Sequence, residues 1–486
     1  MSELTVLLDG RKAGTLLQKR GRLTFFYADS WRFGPGAYPL SLSMPLNIRE
    51  HTHTAVDPFL WGLLPDNEFV LARWAQRFHV SPRNAFALLE HVGEDCAGAV
   101  QFVLPGSQSD TLALDKGEIE WLDEAGVGER LRTLRTNAAA GRTEQDAGLF
   151  SLAGAQPKTA LYYDGERWGV PSGRIPTTHI LKPPAPGLDG HAENEHLCLS
   201  LARALGLPAA LSTVQTFGDV TAFVVERYDR VKMDDLAAQY AALAAQYAAL
   251  AATKAADLSA QAVAEAADAA VSSQVMANFA RTTPIYRVHQ EDFCQALGIH
   301  PSKKYQNEGG PGPLQITNLL RNNASSVARR GRRKSSAEMQ DSAPVEDVTT
   351  FIDALIFNWL IGGTDAHAKN YSLLIGGDGL VRLAPLYDLA SIFGYPNIEI
   401  KKAKLAMKVG DKYTLVTIGL SDWIKLAANL KIDGDALVAR IRNMTGQLPD
   451  HLSGEIKKMR ASGLDHKTLD ILATVLPDRA RHLGKI

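Results

Sequence analysis

Gly362-Gly363-Thr364-Asp365-Ala366-His367-Ala368-Lys369-Asn370 sets an acid and an amide at D-x-x-x-x-N spacing in a loop of small residues. An Asp so placed is suited to accept the proton of an attacking hydroxyl, and the Asn to hold a divalent cation. Residues 371–375 and 381–383 then read as two strands of a hairpin, and Leu386-Tyr387-Asp388 follows it. Asp388 is thereby returned toward the first loop, although no Gly follows it. Mg²⁺ usually keeps one or two protein carboxylates and completes its sphere with water and phosphate. Asp365, Asn370 and Asp388 therefore suit chemistry on a nucleoside triphosphate. The spacing alone also fits loop polars that cap a helix, so a second signal is needed.

That signal lies upstream. Ser151-Leu152-Ala153-Gly154-Ala155-Gln156-Pro157-Lys158-Thr159-Ala160-Leu161 is a small-residue loop running into a strand. Gly and Ala let main-chain N–H groups approach an anion closely, though the loop is neither Walker A nor GxGxxG. Thr177-Thr178-His179-Ile180-Leu181-Lys182-Pro183-Pro184 ends an apolar strand on Lys182, and Glu193 and Glu195 open the next helix, in reach of that lysine. Phe223-Val224-Val225-Glu226-Arg227-Tyr228-Asp229-Arg230 is a strand ending in polar residues, suited to a hinge whose backbone reads adenine. Phosphate loop, Lys strand, Glu helix, hinge, catalytic loop and metal Asp follow one another in protein-kinase order. ATP and Mg²⁺ are the expected cofactors.

Composition bounds the rest. At 486 residues the chain has room for about three domains or subdomains. Lys+Arg 52 against Asp+Glu 53 leaves a net charge of -1, which argues against global attraction to nucleic acid. Cys96, Cys198 and Cys294 are too few and scattered for a disulfide framework or a Cys-rich zinc site. No secretory signal and no run of about 18 to 20 apolar residues is visible, so a soluble cytoplasmic protein without a membrane is expected. Residues 4–8 before Asp9-Gly10, residues 23–27 and residues 100–104 read as strands, and residues 61–64 and 67–78 as helical. A polar run at residues 107–110 suggests a boundary, and from Val348 onward helices dominate.

Two segments interrupt this order. Residues 236–279 are Ala-rich and contain AAQYAAL twice, at 237–243 and 244–250. Ala favours helix, and Tyr240, Leu243, Tyr247 and Leu250 form an a/d stripe that fades after about two heptads. A helical or floppy insertion projecting from the surface is expected, with a coiled-coil contact as the alternative. The basic run Arg329-Arg330-Gly331-Arg332-Arg333-Lys334 reads as a solvated loop, with phosphate contact as the alternative.

PLSLSMPL (39–46), LLPD (63–66), GAQPKTAL, PTTHILKPP, ENEHLC, VERYDR, QEDFCQALG, KYQNEGGPG, GGTDAHAKN and PLYDLAS together make the chain resemble the HipA family. These are the serine/threonine-kinase toxins of bacterial HipBA type II toxin–antitoxin modules. The resemblance spans nearly all of the chain outside the two interruptions. It implies an α+β, two-lobed fold like that of protein and PI3/4 kinases, with a β-rich N-terminal subdomain and a mostly helical C-terminal lobe. The implied division is an N-terminal subdomain at 1–106, a kinase N-lobe at 145–232, the insertion at 233–282 and a C-lobe at 283–486.

Residue by residue, it implies Asp365 as catalytic base, Asn370 and Asp388 as Mg²⁺ ligands, and Ala153, Gly154, Ala155, Gln156, Pro157 and Lys158 as phosphate loop. Lys182 would bind phosphate, Glu226, Arg227 and Tyr228 would form the adenine hinge, and Asp229 would contact ribose. His367, Ala368, Lys369 and Asn370, with Tyr387 beside Asp388, would complete the ATP site. Ser151 matches the family's autophosphorylated serine, whose modification expels the loop. The implied substrate is glutamyl-tRNA synthetase. The implied partner is a HipB-like helix-turn-helix antitoxin dimer, which carries the contact with operator DNA while the toxin acts as co-repressor. Lys425 and Lys431 lie near where family members touch DNA, although exposed lysines are commonly just solvated. Pro157 departs from the family loop, where a Glu is expected, and Pro removes a backbone donor. The alternatives are a catalytically silent co-repressor scaffold and a small-molecule phosphotransferase. The latter's signature places His two residues before the Asp, where this chain has Gly363.

Overall fold

Asp9 and Gly10 at φ 50° and 70°, and Arg20 and Gly21 at 51° and 76°, form the tight turns of an antiparallel meander. Paired positive φ values match the twist of the strands that such turns join. In the computed structural model, which describes residues 2–106, 117–136, 151–173, 175–184, 187–234, 285–323 and 342–484, these turns connect β1 (Ser2–Leu8), β2 (Arg11–Lys19) and β3 (Arg22–Tyr27). With β4 (Glu50–Thr52) and β5 (Gln101–Val103) they make a sheet of order β4-β3-β2-β1-β5. The expected strands at residues 4–8, 23–27 and 100–104 are present. The sequence reading did not foresee β2, whose run is broken by Gly14. A Cβ there would lie 2.3 Å from the Phe26 carbonyl oxygen, so the strand crosses its neighbour where only glycine fits.

Helices His53–Leu63, Glu68–Phe78 and Ala85–Val92 pack on this sheet and on one another. The first starts well before residue 61 because Val56, Phe59, Leu60 and Leu63 already form its buried stripe. The second begins at Asn67, whose side chain caps the N–H groups of Phe69 and Val70 at 3.0 and 3.4 Å.

A second antiparallel sheet has the order β10-β11-β9-β7-β8-β6. Its strands are β6 (Ile119–Leu122), β7 (Thr159–Tyr163), β8 (Trp168–Pro171), β9 (His179–Lys182), β10 (Ser212–Phe217) and β11 (Val220–Glu226). Alternation along β11 divides two cores. Val224 joins Leu161, Leu181 and Phe217 beneath Val127, Leu131 and Leu134 of helix Glu124–Thr136. Phe223 and Val225 join the larger core with Leu197, Cys198 and Leu201 of helix His191–Ala204.

After β11, β12 (Arg230–Lys232) pairs antiparallel with β13 (Ile285–Arg287). The intervening Ala-rich segment, the basic run and residues 107–110 lie outside the described residues. The C-terminal part is mostly helical: Pro313–Asn323, Ser342–Ile361, Leu420–Leu430, Gly434–Ala461 and Lys467–Leu483. The hairpin expected at 371–383 is present as β15 (Ser372–Gly376) and β16 (Leu380–Leu383), with β14 (His289–Asp292) added to its edge. A further hairpin, β17 (Lys404–Val409) with β18 (Lys412–Thr414), interrupts what the sequence suggested was helix. The larger core is continuous from the N-terminal sheet through helix His191–Ala204 into the helical lobe. No helix among the described residues is long and apolar enough to cross a membrane, and the three cysteines are free and buried.

Candidate active site

Between the second sheet and the helical lobe lies a cavity of about 570 Å³, within the size range of small-molecule sites. Lys182 stands at its edge, at the end of β9. Its Nζ donates to Glu195 Oε1 at 2.7 Å and to Asp388 Oδ1 at 2.8 Å. Of the two acids opening the helix it is thus Glu195 that orients the lysine. Burial disfavours the Lys182 ammonium, but Asp388 and Glu195 outweigh it and hold its pKa above the ordinary value. The same ammonium holds the Asp388 carboxyl well below the usual carboxylate range. Burial lifts Glu195 to about 7 against the pull of Lys182.

Asp388 adopts φ +57°, the left-handed region that a non-glycine residue enters only when its surroundings hold it there. Those surroundings are specific. Leu386 exchanges backbone hydrogen bonds with Pro208 and Ala210, both 2.8 Å. The Tyr387 hydroxyl donates to the Lys369 carbonyl at 2.7 Å and lies 2.7 Å from Ser372 Oγ.

The 362–370 loop leaves helix Ser342–Ile361 at Gly362, whose φ of +68° ends the helix. Gly363 follows against Asn358, where a Cβ would lie 2.1 Å from the side-chain oxygen. The Asp365 carbonyl accepts from His367 N at 2.7 Å and from Asn370 Nδ2 at 2.8 Å. With its nitrogen engaged, the Asn370 amide retains its oxygen for a cation, and Asp388 Oδ2 has no bond among the described residues. This donor pair fits Mg²⁺ shared with phosphate oxygens. No cluster of three or more His, Cys, Asp or Glu among the described residues would hold a metal unaided.

The Asp365 carboxylate is exposed and accepts the Tyr305 hydroxyl. Surrounding protein raises its pKa, and the Tyr305 bond opposes the rise. Burial lowers His367 to about 4, so its imidazole is neutral near pH 7. Lys369 pairs with Asp66 at 2.6 Å, and Lys304 pairs with the same carboxylate at 2.8 Å.

The 153–158 loop curls around its own lysine. Lys158 Nζ donates to the Ala153 carbonyl at 2.5 Å. Burial, then the neighbouring Lys182, bring the Lys158 pKa down to about 8. Gly154 has φ +104° and would push a Cβ to 2.5 Å from that ammonium, so no other residue fits there unstrained. The loop rests on the N-terminal subdomain. Ser151 Oγ donates to the Leu63 carbonyl at 2.8 Å and Ser151 N to the Asp95 carbonyl at 3.0 Å. Asp66 N reaches the Gly154 carbonyl at 3.2 Å, and Asn67 Nδ2 the Ala155 carbonyl at 3.4 Å.

β11 continues into a buried ion cluster. Arg227 donates to Asp95 at 3.2 Å and Asp229 at 2.9 Å, and Arg230 reaches Asp95 at 2.8 Å and Asp229 at 2.9 Å. Arg287 approaches Asp95 at 3.4 Å. Asp229 also accepts from Gly98 N at 2.7 Å.

Residues 4–103 match the family model of the HipA N-terminal domain, and residues 150–278 and 238–452 match that of the HipA-like C-terminal domain. The chain belongs to the HipA family. "Putative kinase Y4mE" of Sinorhizobium fredii is 33% identical to it, over 98% of this chain and 97% of that protein. The serine/threonine-protein kinase toxin HipA of Shewanella oneidensis is 27% identical over 85% of this chain and 81% of that one. A solved complex of Shewanella oneidensis HipA with HipB and operator DNA aligns with a TM-score of 0.71 at 23% identity, covering 99% of both chains. That likeness is one of fold, and the fold is the two-lobed, kinase-like α+β architecture.

In this HipA-family chain the cavity collects most residues singled out by sequence: Ala153 to Lys158, Lys182, Glu226 to Asp229, Asp365, His367, Lys369, Asn370, Tyr387 and Asp388. Arg227 and Asp229 reach its wall, but their charges are engaged with each other and with Asp95. Ala368 is wholly buried and is not a lining residue. Ser151 sits beneath the loop at 0% exposure. Lys425 and Lys431 stand apart on exposed positions: Lys425 is paired with Asp411, and Lys431 ends helix Leu420–Leu430 at φ 54°. Sequence reasoning did not nominate Asp66, Lys304, Tyr305 or Asp292, all close to or lining the cavity. Asp66, Lys304 and Tyr305 lay in plain view beside Pro and Gly turns, where a charged or aromatic residue is a fair candidate for a site.

Proposed function

We propose that this chain is a serine/threonine protein kinase that uses ATP with Mg²⁺ and serves as the toxin of a type II toxin–antitoxin module. The observation that carries the reading is Lys182 held between Glu195 and Asp388, on the cavity that also receives Asp365, Asn370 and the 153–158 loop. A lysine shared by a helix glutamate and the metal aspartate is the arrangement that fixes a nucleotide's phosphates for transfer. The four-part division of the chain and the roles given to each site residue belong to this proposal. So do a cytoplasmic location, a HipB-like antitoxin dimer that carries the contact with operator DNA, repression of its own operon, and glutamyl-tRNA synthetase as substrate.

In the reaction, Asp365 receives the proton of the acceptor hydroxyl as that oxygen bonds to the γ-phosphorus, and the bond to the β-γ bridging oxygen breaks to release ADP. Lys182 and Lys158 bring positive charge to the phosphates, and main-chain N–H groups of the 153–158 loop add hydrogen bonds. Asn370 and Asp388 would hold Mg²⁺, which supplies neutralisation of phosphate charge. The Glu226 and Arg227 N–H groups are bonded to the Leu211 and Thr178 carbonyls at 2.9 Å, so the adenine edge would be read by the remaining backbone groups of 226–228.

Asp388→Ala is the direct test. It removes the metal carboxylate and leaves Lys182 paired with Glu195 alone. Calorimetric titration with ATP is expected to show Mg²⁺-dependent binding in the wild type and none in the variant. Equal, metal-independent binding by both would sink the assignment.

Ser151 gives a second test. Its hydroxyl is engaged by Leu63 and fully enclosed, so a phosphate carrying about -1.5 to -2 charges has no room in this conformation and the loop must leave. Mass spectrometry after incubation with ATP and Mg²⁺ is expected to find phosphoserine at 151, and Ser151→Asp to be less active. An unmodified Ser151, or undiminished activity in the aspartate variant, contradicts the proposal.

A further inference from the structure

The Asp365 carboxylate has one hydrogen bond from a side chain among the described residues, and the Tyr305 hydroxyl supplies it at Oδ1. Asp365 is exposed on a loop whose other residues are buried or half-buried. Without that bond its χ1 and χ2 would be free to turn the carboxylate away from an incoming hydroxyl.

Tyr305, by contrast, is fixed from several directions. Its ring meets His367 edge-on, with centroids 4.9 Å apart and planes at 86°. Its carbonyl accepts from Glu308 N at 3.0 Å and Gly310 N at 2.9 Å. The preceding Lys304 is tied to Asp66 at 2.8 Å, and the Lys304 carbonyl accepts from Ala368 N at 3.3 Å. Gly310 closes this turn where a Cβ would lie 2.1 Å from the Lys303 carbonyl oxygen, so the backbone cannot be rebuilt around another residue without moving Tyr305.

We infer that Tyr305 is a positioning residue for phosphoryl transfer, holding the Asp365 carboxylate toward the acceptor through its hydroxyl. The inference rests on Asp365 being the base. Oδ1 is taken by the tyrosine, and Oδ2 is left to receive the proton. A reacting group must be held within about 0.5 Å of its productive geometry, and a misplacement of about 1 Å can lower a rate by about 10²-fold. Tyr305→Phe keeps the ring, its packing on His367 and the turn, and deletes only the hydroxyl.

The test is a double-mutant cycle on the purified full chain, measuring initial ADP release from ATP and Mg²⁺ with a serine-containing acceptor protein supplied in excess. Tyr305→Phe is expected to lower kcat about 10-fold, leave KM for ATP within about twofold, and leave the melting temperature unchanged. In the Asp365→Asn background the same substitution is expected to have no further effect, because it acts through the carboxylate. An unchanged or raised kcat overturns the inference. A fall in kcat matched by a rise in KM or a lower melting temperature, or an equal fall in both backgrounds, assigns Tyr305 a structural role and also overturns it. Wild-type turnover by Asp365→Asn alone refutes the base itself, which separates failure of the underlying reading from failure of this one.

Discussion

Asp365→Asn is expected to lower phosphoryl transfer by about 10²- to 10⁴-fold, the usual contribution of a general base. The substitution preserves shape and still offers an oxygen to the Tyr305 hydroxyl. The bonds from His367 N and the Asn370 side-chain Nδ2 go to the Asp365 backbone carbonyl, so the loop keeps its course. What is lost is the site that accepts the proton. One negative charge also disappears near Asp388, whose field raises the Asp365 pKa, so ATP affinity should hold or improve. Transfer of radiolabelled γ-phosphate, set beside calorimetric binding of ATP, reads the two effects separately. Transfer near the wild-type rate would remove Asp365 from the mechanism.

The second large effect concerns stability. Asp95, 7% exposed, is approached by Arg230, Arg227 and Arg287 at 2.8, 3.2 and 3.4 Å and by Thr177 Oγ1 at 2.8 Å. Asp95→Ala leaves Arg227 and Arg230 to share Asp229 and takes from Arg287 its carboxylate partner. Breaking a buried pair by removing one partner destabilises by about 3 to 5 kcal/mol. That is a large share of the roughly 5 to 15 kcal/mol by which a domain is stable. A urea melt near neutral pH should show a midpoint well below that of the wild type; coincident transitions would mean the cluster contributes nothing net.

The pH dependence has a definite sign. Burial alone would raise the Asp95 pKa, but Arg230, Arg227 and Arg287 overcome it and hold the carboxyl well below its ordinary value of 3.8. A depressed acid stabilises the fold above its unfolded pKa and loses that contribution as pH falls through the folded one. The gap between wild type and variant should therefore be constant near neutrality and narrow as pH falls below 3.8.

Much of the site was legible because its signals are local. Lys182 ends a short apolar strand, Asp365 and Asn370 share one loop, and Asp388 follows a hairpin written in Ser372–Gly376 and Leu380–Leu383. The turn at Asp9-Gly10 announced itself in the same way. Features that depend on distant partners were not legible. Asp229 looks like a free carboxylate after a strand, and nothing nearby in sequence says that Asp95 and Gly98 will meet it and its arginines. Asp66 joins Lys369 and Lys304 across most of the chain. The choice of Glu195 over Glu193 depends on the rotation of helix His191–Ala204, which burial sets. The β17–β18 hairpin was readable in Leu405, Met407 and Val409 before Gly410, but its helical surroundings obscured it.

The pairing of β12 with β13 brings Lys232 and Ile285 side by side, with Arg230 and Arg287 opposite each other at the ion cluster. A chain that departs and returns through adjacent, anchored positions makes a natural graft point. Closing a longer excursion there costs only about 0.6 kcal/mol per doubling of length. A change of length in that interval is therefore borne by loop closure at the β12–β13 ladder and the ion cluster.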